Sequence, residues 1–277
     1  MLPPEESVFA DVLARRYAGA TVPTKVLGND VIATVLAHRT VRAFTSDPLP
    51  DGTLETLVAA AQSASSSSNL HLWSLIAVTD GALKQQLSAL ALNQRHMVEA
   101  PLLLLWVTDL SRLTALGTRE GAATDGLDYL ETYVTAAIDA ALAAQNAAVA
   151  AASLGLGIGY IGAMRNHPED VAELIGLPPR AMVIFGLVVG WPDPARPASI
   201  KSRPAQAMVL HRDQYDNHAE EASIEDYDAA MRKFQKEQGM DVVGWKKAVL
   251  GRVANAAALT GRHRLGDALR KLGFQLS

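Results

Sequence analysis

The chain has 277 residues, 49% of them apolar, enough to bury the core of one large domain or two small ones. Its 25 Lys and Arg against 29 Asp and Glu leave a net charge of -4, which excludes a general attraction to nucleic acid or to an anionic membrane and makes any phosphate recognition a local matter. The absence of cysteine removes disulfides, thiolate metal sites, cysteine nucleophiles and iron-sulfur clusters together, and fits a cytoplasmic protein.

In chain order, "ESVFADVLARRYA" predicts a short helix within a terminal appendage spanning residues 1–30, and its acidic residues set it apart from a signal or transit sequence. The main domain is expected over 31–215. There "NDVIATVLAHR" is helical and "PDGTLETLVAAAQSA" is a second helix, with Pro50 and Asp51 as start signals. After the loop "SSSSN", the run "LHLWSLIAVTD" predicts a strand, "LKQQLSALAL" a helix and "APLLLLWVTD" a fully apolar strand. An alanine-rich helix follows over roughly 125–154, with Gly155 and Gly157 as stop signals. It is long enough to span a bilayer, but Asp139, Gln145 and Asn146 interrupt it, and it reads as a buried helix with no membrane role. Pro168 opens a short helix, "AMVIFGLVVGW" is another buried strand, and residues 216–277 form a polar helical arm. Strands and helices do not alternate regularly, so the fold class is α+β.

Gly157, Gly159 and Gly162 spell the G-x-G-x-x-G of a dinucleotide-binding turn. That turn needs a strand before the glycines and a helix immediately after them. Here a helix runs into the glycines and the next helix starts near Pro168, so they are expected instead to let the backbone approach a ligand or a neighbouring element.

Four separated stretches offer donors suited to a planar, phosphate-bearing ligand: His38, Arg39, Thr40 and Arg42; Ser66, Ser67 and Asn69; Gln94; and Lys201 with Arg203. Singly each has an ordinary explanation as a solvated patch or loop. Together, "HRTVRAFTSDPLP", "SSSSNLHLW", "AAQNAAVAAASLGLGIGYIGAMRNHPEDV", "FGLVVGWPDP" and "KSRPAQAMVLHRDQY" resemble the flavin-dependent nitroreductase family, in its NADPH-flavin oxidoreductase (oxygen-insensitive nitroreductase A-like) branch, over residues 31–215.

The resemblance implies a central, mainly antiparallel sheet flanked by helices, in an intertwined homodimer with FMN at the subunit interface. It assigns His38, Thr40, Lys201 and Arg203 to the phosphate, Arg42 to the ribityl and N1/O2 edge, and Arg39 to loop support. Ser66, Ser67 and Asn69 become ring and ribityl partners from across the dimer, Gln94 reaches the pyrimidine side, and the backbone of Tyr160, Ile161, Gly162 and Ala163 lines the other edge. The implied activity is ping-pong hydride transfer through flavin N5, from NADPH or NADH to nitroaromatics, quinones or free flavin. The alternative is an FMN-binding or FMN-processing protein of the same fold without turnover. No catalytic side chain and no metal are demanded, and the partners are small-molecule acceptors rather than nucleic acid.

Overall fold

A computed structural model describes residues 4–218 and 220–277. In chain order, α1 (Pro4–Arg16) and α2 (Asp30–Leu36) precede α3 (Thr53–Gln62), β1 (Trp73–Val78), α4 (Gly81–Leu90), α5 (Arg95–Glu99) and β2 (Leu102–Asp109). Then come α6 (Ser111–Glu120), α7 (Leu130–Ser153), β3 (Gly157–Ile161), α8 (Pro168–Leu174), β4 (Ala181–Gly190), α9 (Glu220–Glu237), α10 (Gly244–Arg252) and α11 (Leu265–Lys271). These sort into two units, one from the residues up to Arg39 with Ala198–Ala258, the other from Thr40–Pro197 with Leu259–Ser277.

The second unit carries the sheet. Its strand order is β1-β2-β4-β3, and every pairing is antiparallel. The continuous apolar run of "LLLLWVTD" makes β2 a strand buried along its whole length, as an inner strand covered on both faces requires. Leu57 of α3 and Ala143, Ala144, Ala147, Ala148 and Ala151 of α7 pack in one core with Leu104, Trp106, Leu187 and Val189. Alanine on that face lets the α7 backbone lie close to its neighbours, and α7 is buried there as the sequence leads one to expect. By length and composition alone α7 could cross a membrane. Its other face shows Leu130, Val134, Ile138 and Leu142, each 42–53% exposed and four residues apart, so they form one stripe. At the far end of the chain, Leu269 and Phe274 pack with Leu72, Leu110, Ala136 and Met182 in a second core.

The observed α+β architecture, an antiparallel sheet with helices against it, is the one expected. Three local readings are corrected. Gly157 is not a stop signal of the long helix but the first residue of strand β3, "GIGYI": Ile158, Tyr160 and Ile161 suit a strand, and they pair with Val189, Leu187 and Gly186 of β4. The long helix starts at Leu130, because residues Asp125–Asp128 form a separate 3-10 turn. Residues Ser111–Glu120 form a helix to which the sequence reading assigned no element; Gly121 ends it in a left-handed conformation.

In the first unit, Gly19 (φ +85°) turns the chain after α1 and lets α9 approach so closely that a Cβ there would meet the Ala230 Cβ at 2.6 Å. Helices α9 and α10 are joined by side chain to backbone bonds. The Asp228 carboxylate accepts from the Lys246 amide at 2.7 Å, and Gln235 Oε1 accepts from Val243 and Gly244 at 3.0 and 2.9 Å.

Candidate functional site

In the first unit the structure brings His38, Arg39, Lys201 and Arg203 into one neighbourhood, with Arg16 as the hub. The Arg16 side chain is only 6% exposed. Its Nε and Nη2 donate to the Leu36 carbonyl at 3.0 and 2.7 Å, Nη2 also donates to the His38 carbonyl, and Nη1 donates to the Lys201 carbonyl at 2.8 Å. In return the Arg203 amide donates to the Arg16 carbonyl at 2.8 Å. The guanidinium of Arg203 reaches back to the carbonyls of Lys201 and Ser202 at 3.2 and 3.3 Å.

The electrostatics follow from this packing. Burial lowers the pKa of the half-buried His38, and the guanidiniums of Arg16, Arg203 and Arg39 lower it further. Burial and Arg203 likewise lower that of Arg16. Among the described residues no carboxylate is paired with Arg16, His38, Arg39 or Arg203. With Arg16 donating to carbonyls, the exposed guanidiniums of Arg39 and Arg203, without a paired carboxylate, and the imidazole of His38 are a donor set suited to a phosphate. Beside it lies a cleft of about 390 Å³, whose walls include Arg39, Ser199, Ser202, Lys233 and Phe234. The buried Ser202 Oγ has no hydrogen-bond partner.

In the second unit, Thr40 bridges to Ile158 of β3 in parallel, and the Val41 amide donates to the Ile158 carbonyl at 2.8 Å. The glycines of β3 make this possible. A Cβ on Gly157 would stand 2.8–2.9 Å from three Val41 side-chain carbons, and one on Gly159 would stand 2.8 Å from the Val41 carbonyl oxygen. Of the two partners expected for these glycines, a neighbouring element is the one seen: the Val41 side chain at Gly157 and the Val41 backbone at Gly159. Arg42 is exposed, and together with burial it lowers the pKa of His96.

The serine loop is anchored by a residue that sequence reasoning passed over. Asp139 of α7, 1% exposed, accepts from the Ser66 hydroxyl at 2.7 Å and from the Ser67 amide at 3.0 Å. Ser66 Oγ then accepts from the His71 amide at 3.0 Å, while Asn69 Oδ1 lies 2.9 Å from His71 Nε2. Ser68, Asn69 and His71 all have positive φ, at 48°, 57° and 50°. The signal for Asp139 was present: a charge amid an alanine-rich helix must be paired if that face is buried. Arg16 gave no such signal, since a basic residue in the last turn of a helix is ordinary.

Gln94 stands at the N-terminal cap of α5, and its side-chain amide donates to the Ala91 carbonyl at 2.9 Å. On β3 the Tyr160 hydroxyl donates to Gln145 Oε1 at 3.3 Å, its ring meets Phe185 edge-on, and burial pushes its pKa up to about 12, so the phenol is a neutral donor. Ile161 and Ala163 are buried, and Gly162 opens the next turn with Arg165 and Arg262 side chains close by.

Residues 35–191 match the nitroreductase family and residues 201–277 match that family's C-terminal domain. The chain therefore belongs to the nitroreductase family. It is 34% identical to the NADPH-flavin oxidoreductase of Vibrio harveyi over 231 residues, 82% of this chain and 92% of that protein. It is also 34% identical to an FMN reductase (NADPH) of Bacillus subtilis over 251 residues, covering 89% of this chain and 98% of the relative. Among solved structures, NfrA2 of B. megaterium superposes with a TM-score of 0.85 at 34% identity, covering 90% of this chain and 100% of the other.

Proposed function

We propose that the chain is an FMN-dependent NAD(P)H oxidoreductase of the NADPH-flavin oxidoreductase branch, acting as a homodimer on nitroaromatics, quinones or free flavin. The observation that carries this reading is the gathering of the half-buried His38 and the exposed Arg39 and Arg203 around the buried Arg16, with no carboxylate paired with any of them among the described residues. FMN, when bound, supplies hydride exchange at its N5, taken from NADPH or NADH and passed on to the acceptor in ping-pong order.

The chain's own residues bind and orient. His38, Thr40, Lys201 and Arg203 are assigned to the phosphate, and Arg39 supports their loop. Arg42 offers a fixed positive charge to the N1/O2 edge of the ring, where negative charge collects on reduction. Ser66, Ser67 and Asn69 are assigned to ring and ribityl contacts across the dimer, with Asp139 fixing the first two. Gln94 is assigned to the pyrimidine side and the backbone of Tyr160–Ala163 to the other edge. The exposed stripe on α7 is the surface assigned to the second copy, since four large apolar side chains at one face call for cover. On this reading residues 31–215 form the FMN-binding domain, 1–30 an appendage and 216–277 an arm.

The purified protein is expected to be yellow or to take up FMN, and its flavin band to bleach on anaerobic addition of NADPH or NADH. Arg42→Ala should weaken FMN retention and slow bleaching, with Arg39→Ala doing less. A colourless protein unable to take up FMN refutes the flavoprotein reading, and FMN that is held but never bleached leaves a binding protein without turnover.

A further inference from the structure

Arg16 lies outside both stretches matched to the family, yet its guanidinium reaches two chain segments that are more than 160 positions apart. One segment, at Leu36 and His38, leads into His38–Thr40; the other, at Lys201, leads through Ser202 into Arg203. A planar fork with five N–H donors can serve carbonyls on both at once, whereas a lysine ammonium is a point donor on a flexible stem. The return bond from the Arg203 amide to the Arg16 carbonyl ties the second segment to the α1 backbone as well.

We propose that Arg16 of the N-terminal helix is a positioning residue for the phosphate end of the cofactor, holding the His38 and Lys201–Arg203 segments at the spacing in which they grip one phosphate. The inference rests on the FMN reading above and extends it to a helix that the family match leaves out. Its physical basis is cost paid in advance. Several cations held close together repel one another, and the burial that depresses the pKa of His38 and Arg16 adds to that expense. The backbone bonds from Arg16 offset part of it before any ligand arrives, so phosphate meets a formed cradle and not two loose strands. The guanidinium donates to the carbonyls of Leu36, His38 and Lys201, so its role toward the phosphate is exerted through the segments it holds.

The test compares FMN with riboflavin, which lacks the phosphate, by fluorescence titration into full-length apoprotein of wild type, Arg16→Lys and Arg16→Gln, with circular dichroism melts alongside. In Arg16→Lys, which keeps the charge but loses the fork, FMN affinity should fall about tenfold, the scale of one charge-assisted hydrogen bond, while riboflavin affinity stays within about twofold. Arg16→Gln should lose at least as much and flatten the salt dependence of FMN binding. Equal loss for both ligands, or none, overturns the proposal, and so does an Arg16→Lys protein that fails to fold, because Arg16 would then be part of the folding core. Wild-type protein that does not prefer FMN to riboflavin would instead refute the phosphate assignment itself.

Discussion

Replacing Asp139 by Asn tests the anchor of the serine loop without changing side-chain volume. The carboxylate accepts two hydrogen bonds, from Ser66 Oγ and the Ser67 amide, at 2.7 and 3.0 Å in a site that is 1% exposed. A hydrogen bond to a charged group contributes about 1.5–3 kcal/mol. Asn keeps one carbonyl oxygen for the Ser67 amide and turns an NH₂ toward Ser66 Oγ, so the hydroxyl must accept where it donated, its proton is left without the carboxylate, and both charge-assisted bonds are lost. The expected loss is about 2–3 kcal/mol, or a fall of about 5–10 °C in melting midpoint for a unit of this size. The loop itself should loosen, because Ser68, Asn69 and His71 hold left-handed backbone conformations that cost about 1 kcal/mol each when nothing fixes them. Urea titration at fixed protein concentration gives the stability change, and hydrogen exchange at residues 66–71 gives the loosening. A double-mutant cycle with Ser66→Ala should show a coupling of about 1 kcal/mol or more. Stability of Asp139→Asn within about 0.5 kcal/mol of wild type, with zero coupling, would refute the anchor.

Gly159→Ala drives a methyl to 2.8 Å from the Val41 carbonyl oxygen, and should cost about 1–3 kcal/mol by pushing residues 40–42 off β3, read by the thermal midpoint. Ile138→Asp places a charge in the middle of the α7 stripe and should shift the mass measured by light scattering from dimer to monomer; an unchanged mass would remove that stripe from the interface. The lowered pKa of His38 means the unfolded chain binds its proton more readily, so stability is lost as pH falls below about 6.5, the unfolded value. His38→Gln should flatten the melting midpoint between pH 7 and pH 5 relative to wild type.

The parts of the fold that sequence made legible were those governed by local pattern. The apolar run of β2, the alanine face of α7 and the Pro168 start of α8 each follow from composition over a few residues. Strand β3 was harder to read because its glycines look like turn residues; their reason, the approach of Val41, lies more than 110 positions away. The donors near residues 38–42 and 201–203 were visible as residue types, and the structure adds that the backbone carbonyls of His38 and Lys201 meet at one buried guanidinium, that of Arg16, while the Arg203 amide bonds the Arg16 carbonyl. Arg16 and Asp139 were not legible as site-supporting residues, since each acts by holding backbone or hydroxyl groups that come from elsewhere in the chain.

Helix α7 also constrains how this chain can change in length. Asp139 must face the serine loop while Ala143, Ala147 and Ala151 face the core, and Ile138 and Leu142 face outward. One inserted residue rotates everything beyond it by about 100° and advances it by about 1.5 Å, which would turn the outward stripe into the alanine core or swing the carboxylate away from Ser66. Substitutions within α7 can be absorbed singly, but an insertion or deletion between Leu130 and Ala151 puts the facings on its two sides out of step with each other. Length variation among functional versions of this chain should therefore fall in the segments on either side of α7, with the helix itself kept in frame.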